Sequence, residues 1–264
     1  MSTRTRDIAI LVVGLAGLGV VAWGGYAAVH ARAAGSGARQ VLAPVADPTP
    51  EPRRSGRPAP QYDRWTVGVA QRPLTVFRRA ATDAPVVARL PMRNTADYPT
   101  VVLVDSVTVV DGALWFKVWV PVRPNETRGW VRDGQLGLYT TTSKIVIDLS
   151  RRRLMVYQRG ELKATYPVAV GSPELPTPTG HFYVTQKLRP PYPDGVYGVL
   201  QLGTSAFQPK LNDWPDGGSI GIHGTNQPEL IGKAISHGCV RMHNADVKAV
   251  SRMVPTGSPV DIVK

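Results

Sequence analysis

The chemistry of this chain centres on its only cysteine, Cys239, which lies among three of the five histidines: His223, His237 and His243. A cysteine thiolate is a strong nucleophile, and a neighbouring imidazole can accept the thiol proton. Gly238 directly precedes the cysteine, and glycine lets backbone N–H groups approach and hold the oxyanion of an attacked carbonyl. These residues and their spacing predict a cysteine–histidine nucleophile that transfers an acyl group.

The spacing alone leaves both His223 and His237 open as the base that accepts the thiol proton. His237 lies two residues before Cys239 on a predicted tight turn, where in-line proton transfer between the two side chains is awkward. This argument favours His223.

Three other interpretations of the cysteine compete with the nucleophile. A zinc site could use His223, His237, Cys239 and His243, but their spacing matches no closed tetrahedral set of paired ligands. An inert core cysteine is disfavoured, because the residue lies between Gly238 and a Val-Arg pair in a polar turn. A papain-like endopeptidase would place its histidine well after the cysteine, whereas only His243 follows here.

The elements that must position these residues are predicted to form a β domain over residues 143–264. Runs of β-branched and aromatic residues predict strands at 144–149, 153–157, 166–171 and 181–185. Helices are predicted over 227–234 and 244–253, with Asn244 able to cap the second. Residues 189–218, rich in Pro, Gly, Asp and Tyr, form an irregular stretch that is typical of a lid or binding loop.

Residues 62–139 predict a separate small β-barrel, which makes the fold class mainly β. Its short strands alternate with turns, and Asp111 with Gly112 predicts a hairpin turn between two of them. We expect this accessory domain to act as a spacer or docking domain. Its removal should then leave acylation by small donors largely unchanged.

The N-terminal part predicts export. Residues 8–29 are 22 residues without a charge, and as a helix they would cover roughly 33 Å, enough for a hydrocarbon core of about 30 Å. We expect a single-pass anchor in the cell membrane, with residues 1–7 as a cytoplasmic tip. Residues 30–61 would form a Pro-rich linker. The alternative, a cleaved signal peptide, would have a shorter apolar region but exports the remainder equally.

The charge balance favours anionic surroundings outside the cell. The chain has 31 Lys and Arg against 19 Asp and Glu, a formal net charge of +12. No dense Lys/Arg run with interleaved aromatic residues is present, so no nucleic acid is expected as a partner.

The Gly-Ile-His-Gly-Thr run at 221–225, followed by Ser-His-Gly-Cys-Val-Arg at 236–241, resembles the signature of the YkuD-type L,D-transpeptidases. The resemblance covers residues 143–264 and includes Pro-Thr-Pro-Thr-Gly at 176–180. It implies a YkuD-type β-sandwich catalytic domain with one or two short helices. Residues 170–172 lack the common Thr-Gly-Lys run, and 204–219 are longer than in compact members. The Trp-Phe-Lys-Val run at 115–118 loosely resembles a bacterial Src-homology-type barrel.

The resemblance implies a peptidoglycan enzyme. Cys239 would attack a donor stem tetrapeptide, release the terminal D-alanine and form a thioester, which an amine of a second stem resolves into a 3→3 crosslink. Water in place of the amine gives L,D-carboxypeptidase activity. Alternatives are the attachment of other amines or proteins to the wall, and a non-catalytic wall-binding anchor. The implied partners are stem peptides, carbapenem-type inhibitors and the membrane, with no cofactor or metal.

The resemblance also implies individual roles. His223 would be the general base, with the Gly224 carbonyl orienting its ring. Backbone N–H groups of His237, Gly238 and Cys239 would form the oxyanion hole. Four residues would serve the substrate: Ser236 by supporting the turn, Arg241 by gripping a carboxylate, and Thr225 and Asn226 by lining the cleft.

Overall fold

The computed structural model describes residues 63–213 and 215–264, with residues 215 and 216 described by their backbone alone. The predicted cytoplasmic tip (1–7), the membrane anchor (8–29), the whole linker (30–61) and the first residue of the predicted barrel lie outside this part of the chain. Within the described part, no helix combines the length and the apolar character needed to cross a membrane.

The first domain is a seven-stranded antiparallel sheet. Its strands are β1 (Trp65–Ala70), β2 (Leu74–Phe77), β3 (Val86–Leu90), β4 (Val101–Val110), β5 (Ala113–Trp119), β6 (Arg128–Arg132) and β7 (Leu136–Thr141). They pair in the order β3-β2-β6-β5-β4-β1-β7, so β3 and β7 are edges and no strand pair between them closes the predicted barrel in the described residues. Alternate apolar positions, such as Val76, Phe116 and Val118, build its core.

The predicted hairpin turn between β4 and β5 is confirmed. Val110 pairs with Ala113, and the two residues between them have positive φ, 50° at Asp111 and 74° at Gly112. Two-residue hairpins favour this combination, because its twist matches that of the strands.

The second domain is built on an eight-stranded mixed sheet. Its elements are β8 (Ser143–Asp148), β9 (Arg153–Gln158), β10 (Glu161–Pro167), β11 (Val170–Gly171), β12 (Gly180–Leu188), β13 (Gln201–Phe207), β14 (Ser219–His223), β15 (Ala234–Ser236), β16 (Val240–Arg241), α1 (Asn244–Met253) and β17 (Pro259–Val263). The strand order is β10-β9-β8-β17-β12-β13-β14-β16, and β11 pairs separately with β15. Mainly β architecture with one α-helix in the described residues agrees with the predicted fold class.

Strand β12 joins the two halves of this sheet. Its first residues pair with β17, and its last residues pair with β13. Buried side chains from both halves, among them Ile147 and Val156 on one side and Leu202 and Ile222 on the other, belong to one apolar cluster. The halves therefore enclose a shared core, against which α1 packs Val247 and Val250.

Two predicted elements differ in the structure. Residues 227–234 are not an α-helix: a short 3-10 turn, Pro228–Leu230, leads into β15, and Gly232 adopts φ 88°. The stretch 189–218 is not irregular throughout, since it contains β13. Small polar residues, including Thr204 and Ser205, are buried in that strand. The strand therefore lacks the apolar run from which a strand is predicted.

The two domains share a third apolar cluster. Tyr183 of β12 is completely buried, packs with Val67, Val101 and Leu103 of the first domain, and donates a hydrogen bond from its hydroxyl to the Val101 carbonyl at 3.2 Å. A Cβ at Gly257 would lie 2.2 Å from Val67, so the backbone of one domain touches the side chains of the other. The junction is packed like a domain interior rather than tethered.

We expect Tyr183→Phe to lower the free energy of unfolding by about 1 kcal/mol, because the buried Val101 carbonyl loses its donor while the ring packing stays. Urea denaturation followed by fluorescence measures the change. Tyr192→Phe, at a tyrosine that is 61% exposed, is the matched control and should leave the midpoint unchanged. Equal midpoints for all three proteins would contradict the role of this hydrogen bond.

Candidate active site

The parallel pairing of β14 with β16 brings the cysteine and a histidine onto one sheet face. Ile222 pairs with Val240, and both point into the core with no exposed surface. Because successive side chains along a strand alternate between faces, His223 and Cys239 project from the opposite face on adjacent strands. The Gly221 N–H donates to the Cys239 sulfur at 3.4 Å, and the thiol is half-buried.

The ring of His223 is held in one orientation. Its Nδ1 lies 2.6 Å from the Gly224 carbonyl oxygen, the contact that the resemblance predicts. A carbonyl only accepts hydrogen bonds, so Nδ1 carries the proton and Nε2 keeps a lone pair. The edge of Tyr197 contacts the same ring, with centroids 5.0 Å apart, and His223 is only 3% exposed. The imidazole is therefore oriented to accept a proton at Nε2.

Burial keeps both reactive groups neutral at rest. It lowers the pKa of His223 to about 4, even though the Gly224 hydrogen bond acts in the opposite direction. Burial also raises the pKa of the Cys239 thiol above its ordinary value, with a partial offset from the Gly221 N–H and the charge of Arg241. At rest the site therefore holds a neutral thiol and a neutral imidazole on the same sheet face, and no stable thiolate.

Ser236 and Thr177 support the turn that carries the cysteine. The Ser236 hydroxyl accepts from the Gly238 N–H at 3.1 Å and donates to the Cys239 carbonyl at 2.5 Å. Thr177 donates to the Gly238 carbonyl at 2.8 Å and accepts from the Gly171 N–H at 2.8 Å. Gly238 has φ 118°, a conformation that strains other residues. Thr177 was not singled out by sequence, where it is one threonine of a Pro-Thr repeat.

The N–H groups of the predicted oxyanion hole differ in their surroundings. The Gly238 N–H donates to the Ser236 hydroxyl. The Cys239 N–H, in contrast, has no acceptor within the described part of the chain. His237 is exposed on the turn between Ser236 and Gly238. The Cys239 N–H is therefore a donor that remains open to a bound oxygen.

Arg241 lies beside the reactive pair. It pairs with His223 across the strands, and its Nη1 donates to the Gln227 side chain at 3.3 Å. Its Nε is buried and has no acceptor among the described residues. The guanidinium thus has an unused donor that could serve an anionic or carbonyl group.

Asn244 does not cap α1, contrary to the prediction from sequence. His243 occupies the N-cap of α1, while the Asn244 side chain accepts from the Thr225 N–H at 3.1 Å and donates to the Thr225 carbonyl at 3.1 Å. A Cβ at Gly224 would lie 2.0 Å from the Asn244 oxygen, so only glycine fits there. Asn244 therefore fixes the segment whose carbonyl orients His223.

A family model described as the YkuD L,D-transpeptidase catalytic domain matches residues 142–262. The YkuD protein of Bacillus licheniformis, whose name assigns it as an L,D-transpeptidase, is 41% identical over 123 residues, which are 47% of this chain and 67% of that protein. The chain belongs to the YkuD family of L,D-transpeptidases.

Two further comparisons concern a second Bacillus protein and a solved structure. The YkuD protein of Bacillus subtilis is 38% identical over 124 residues, 47% of this chain and 68% of that protein. A solved L,D-transpeptidase of Mycobacterium tuberculosis is 17% identical, with a TM-score of 0.41 over 61% of this chain and 98% of that one. The family assignment rests on the two Bacillus proteins.

Within this YkuD domain, two residues predicted to line the cleft have different surroundings. Thr225 is 2% exposed, and its hydroxyl accepts from the Gln227 N–H at 3.0 Å. The structure thus places Thr225 among buried residues that support the local fold. Asn226, the next residue, is exposed. The zinc alternative gains no support, because the described residues contain no group of three or more His, Cys, Asp or Glu side chains that could hold a metal.

The pKa of His223 can be measured directly. We expect its ring proton signals to titrate with a midpoint near 4 in NMR spectra, assigned by comparison with His223→Gln. Since the unfolded chain binds this proton near 6.5, the folded protein should lose stability as the pH falls from about 6.5 towards 4. A midpoint at or above 6 would mean that the ring is solvated.

The role of Asn244 is tested by Asn244→Ala. The variant leaves the Thr225 N–H and carbonyl without their partner, so the free energy of unfolding should fall by about 1–3 kcal/mol. Chemical denaturation measures the loss, and the His223 ring signals should shift because the Gly224 segment is released. Asn226→Ala, two residues from Gly224 but exposed, is the matched control; if it costs as much, Asn244 has no special role.

Proposed function

We propose that the chain is a peptidoglycan L,D-transpeptidase that forms 3→3 crosslinks through a thioester on Cys239. The observation that carries the proposal is the His223 ring, held at Nδ1 by Gly224 so that Nε2 can accept a proton on the same sheet face as the half-buried thiol. Membership of the YkuD family supports the same chemistry.

The first half-reaction acylates the cysteine. The Cys239 sulfur attacks the carbonyl of the third residue of a donor stem, while its proton passes to Nε2 of His223. The negative charge that develops on the carbonyl oxygen is met by the Cys239 N–H. The C–N bond to the terminal D-alanine then breaks, and the leaving amine takes the proton from His223. A thioester and a neutral imidazole remain.

The second half-reaction transfers the acyl group. A side-chain amine of a second stem attacks the thioester, gives a proton to His223 and displaces the sulfur, which recovers that proton. The product is a 3→3 amide link. If water attacks instead, the product is a shortened stem with a free carboxylate, which is L,D-carboxypeptidase activity. Amines of other wall components or proteins would enter at this same step.

Substrate recognition is proposed to involve Arg241 and the exposed Asn226. Stem peptides end in a carboxylate, and Arg241 has a buried Nε without an acceptor in the described chain, beside the reactive pair. Its charge also favours the thiolate, because it partly offsets the rise in the pKa of Cys239 that burial causes. Arg241 would therefore bind the donor and assist ionisation of the sulfur during attack.

The proposed location is the outer side of the cell membrane. The support is sequence alone: an uncharged run at 8–29 and a Pro-rich stretch at 30–61 that would hold the domains away from the bilayer. The excess of basic residues suits an anionic wall.

Intact-protein mass spectrometry with the carbapenem imipenem tests the nucleophile. A strained β-lactam carbonyl should acylate the thiol of the wild type and add one inhibitor mass, whereas Cys239→Ala should show no adduct. His223→Ala should lower the acylation rate by about 100-fold or more, because general-base catalysis is typically worth 10²–10⁴-fold.

The matched control is His243→Ala, whose side chain makes no capping hydrogen bond to α1. It should keep the wild-type rate, and equal losses at His223 and His243 would mean that the base is misassigned. An adduct on Cys239→Ala would refute the nucleophile. Incubation of the wild type with a stem tetrapeptide, with and without an acceptor amine, then separates transpeptidase from carboxypeptidase products.

A further inference from the structure

The loop between β5 and β6, residues 120–127, reaches from the first domain onto the catalytic domain. Nη2 of Arg123 donates to three backbone carbonyls there: those of Gln208 at 2.9 Å, Leu211 at 3.3 Å and Gly217 at 2.8 Å. The guanidinium also lies over the Phe207 ring, 5.1 Å from its centroid. A single charged side chain thus binds three carbonyls of the irregular segment that follows β13.

A second side chain of the loop extends β13 at its last residue. Nδ2 of Asn125 donates to the Phe207 carbonyl at 2.8 Å, and its Oδ1 accepts from the Phe207 N–H at 2.8 Å. This two-way pairing resembles that of a neighbouring strand. Glu126 adds a contact by accepting from the His181 N–H at 3.0 Å. The side chains of Arg123, Asn125 and Glu126 therefore bind the catalytic domain around the end of β13 and the start of β12.

The segment that Arg123 and Asn125 contact packs against the cysteine turn, residues 236–239. Gln208 is 1% exposed, and its Nε2 donates to the Pro176 carbonyl at 2.8 Å. The next residue, Thr177, donates to the Gly238 carbonyl. A Cβ at Gly238 would lie 3.4 Å from Gln208 Nε2, so the glutamine also packs directly on the turn. Contacts run without a break from Arg123 through Gln208 to the residue before the nucleophile.

We propose that the 120–127 loop is a positioning element for acylation, with Arg123 and Asn125 as positioning residues that hold the cysteine turn through Gln208. The first domain is then part of the machinery of the second, and its removal lowers acylation, contrary to the expectation from sequence. The inference rests on the proposed function for its main readout, and the experiment includes a readout that does not.

The experiment compares the full-length chain with Arg123→Ala, Asn125→Ala and the control Arg72→Ala, an exposed arginine in the turn between β1 and β2. Acylation by imipenem is followed by mass spectrometry, and circular dichroism reports folding. Misplacement of a reacting group by about 1 Å can cost 10²-fold, so we expect roughly 10- to 100-fold slower acylation in the two loop variants. Arg72→Ala should match the wild type, and Arg123→Lys should recover part of the rate.

Two further measurements keep the outcomes distinct. Hydrogen exchange at the Thr177 amide and at residues 236–239 should accelerate in the loop variants, and alkylation of Cys239 by iodoacetamide should change in rate. Folded loop variants that are acylated within twofold of the wild type would overturn the inference. If Arg123→Ala fails to fold, Arg123→Lys and Asn125→Asp take its place.

Absence of acylation in the wild type would instead sink the proposed function. The inference would then be decided by iodoacetamide and hydrogen exchange. Altered values in the loop variants would support it, and values equal to those of the wild type would refute it.

Discussion

The parallel contact between β14 and β16 is the constraint on which the site depends. Ile222 and Val240 are buried together in the core, and this burial fixes the register of two very short strands. A slip of β16 by one residue would turn Val240 outward and Cys239 inward, away from the face that carries His223. The hydrophobic core therefore sets the positions of the Cys239 and His223 side chains relative to each other.

Burial also determines the electrostatics of the pair. Burial lowers the pKa of His223 and raises the pKa of Cys239. The resting site therefore contains no ion pair between these two side chains. A thiol paired with a neutral imidazole is less reactive towards chance electrophiles than a thiolate. The charge of Arg241 partly offsets the rise in the pKa of Cys239 that burial causes.

The second domain makes contacts with the first domain outside its own core. Tyr183 is buried among residues of the first domain, and Asn125 pairs with the last residue of β13 as a neighbouring strand would. Arg123 binds the segment that follows this strand. An apolar cluster and a set of polar contacts thus join the two sheets at different places. This arrangement is typical of domains that keep a fixed geometry, because sliding would break both sets of contacts.

By itself, the sequence determined the β-rich class, most of the strands, the hairpin at Asp111 and helix α1, because apolar periodicity and turn chemistry are local properties. It also pointed to Cys239 and His223, through a cluster of rare residue types and a family signature. It missed β13, whose buried residues are small and polar, and it wrongly predicted Asn244 as a helix cap. Only the tertiary structure decided which N–H groups are free, how far burial shifts the pKa of each reactive group, and that a loop of the first domain holds the cysteine turn. These properties depend on contacts between residues up to some 90 positions apart in the chain, such as Arg123 with Gly217, for which no local pattern exists.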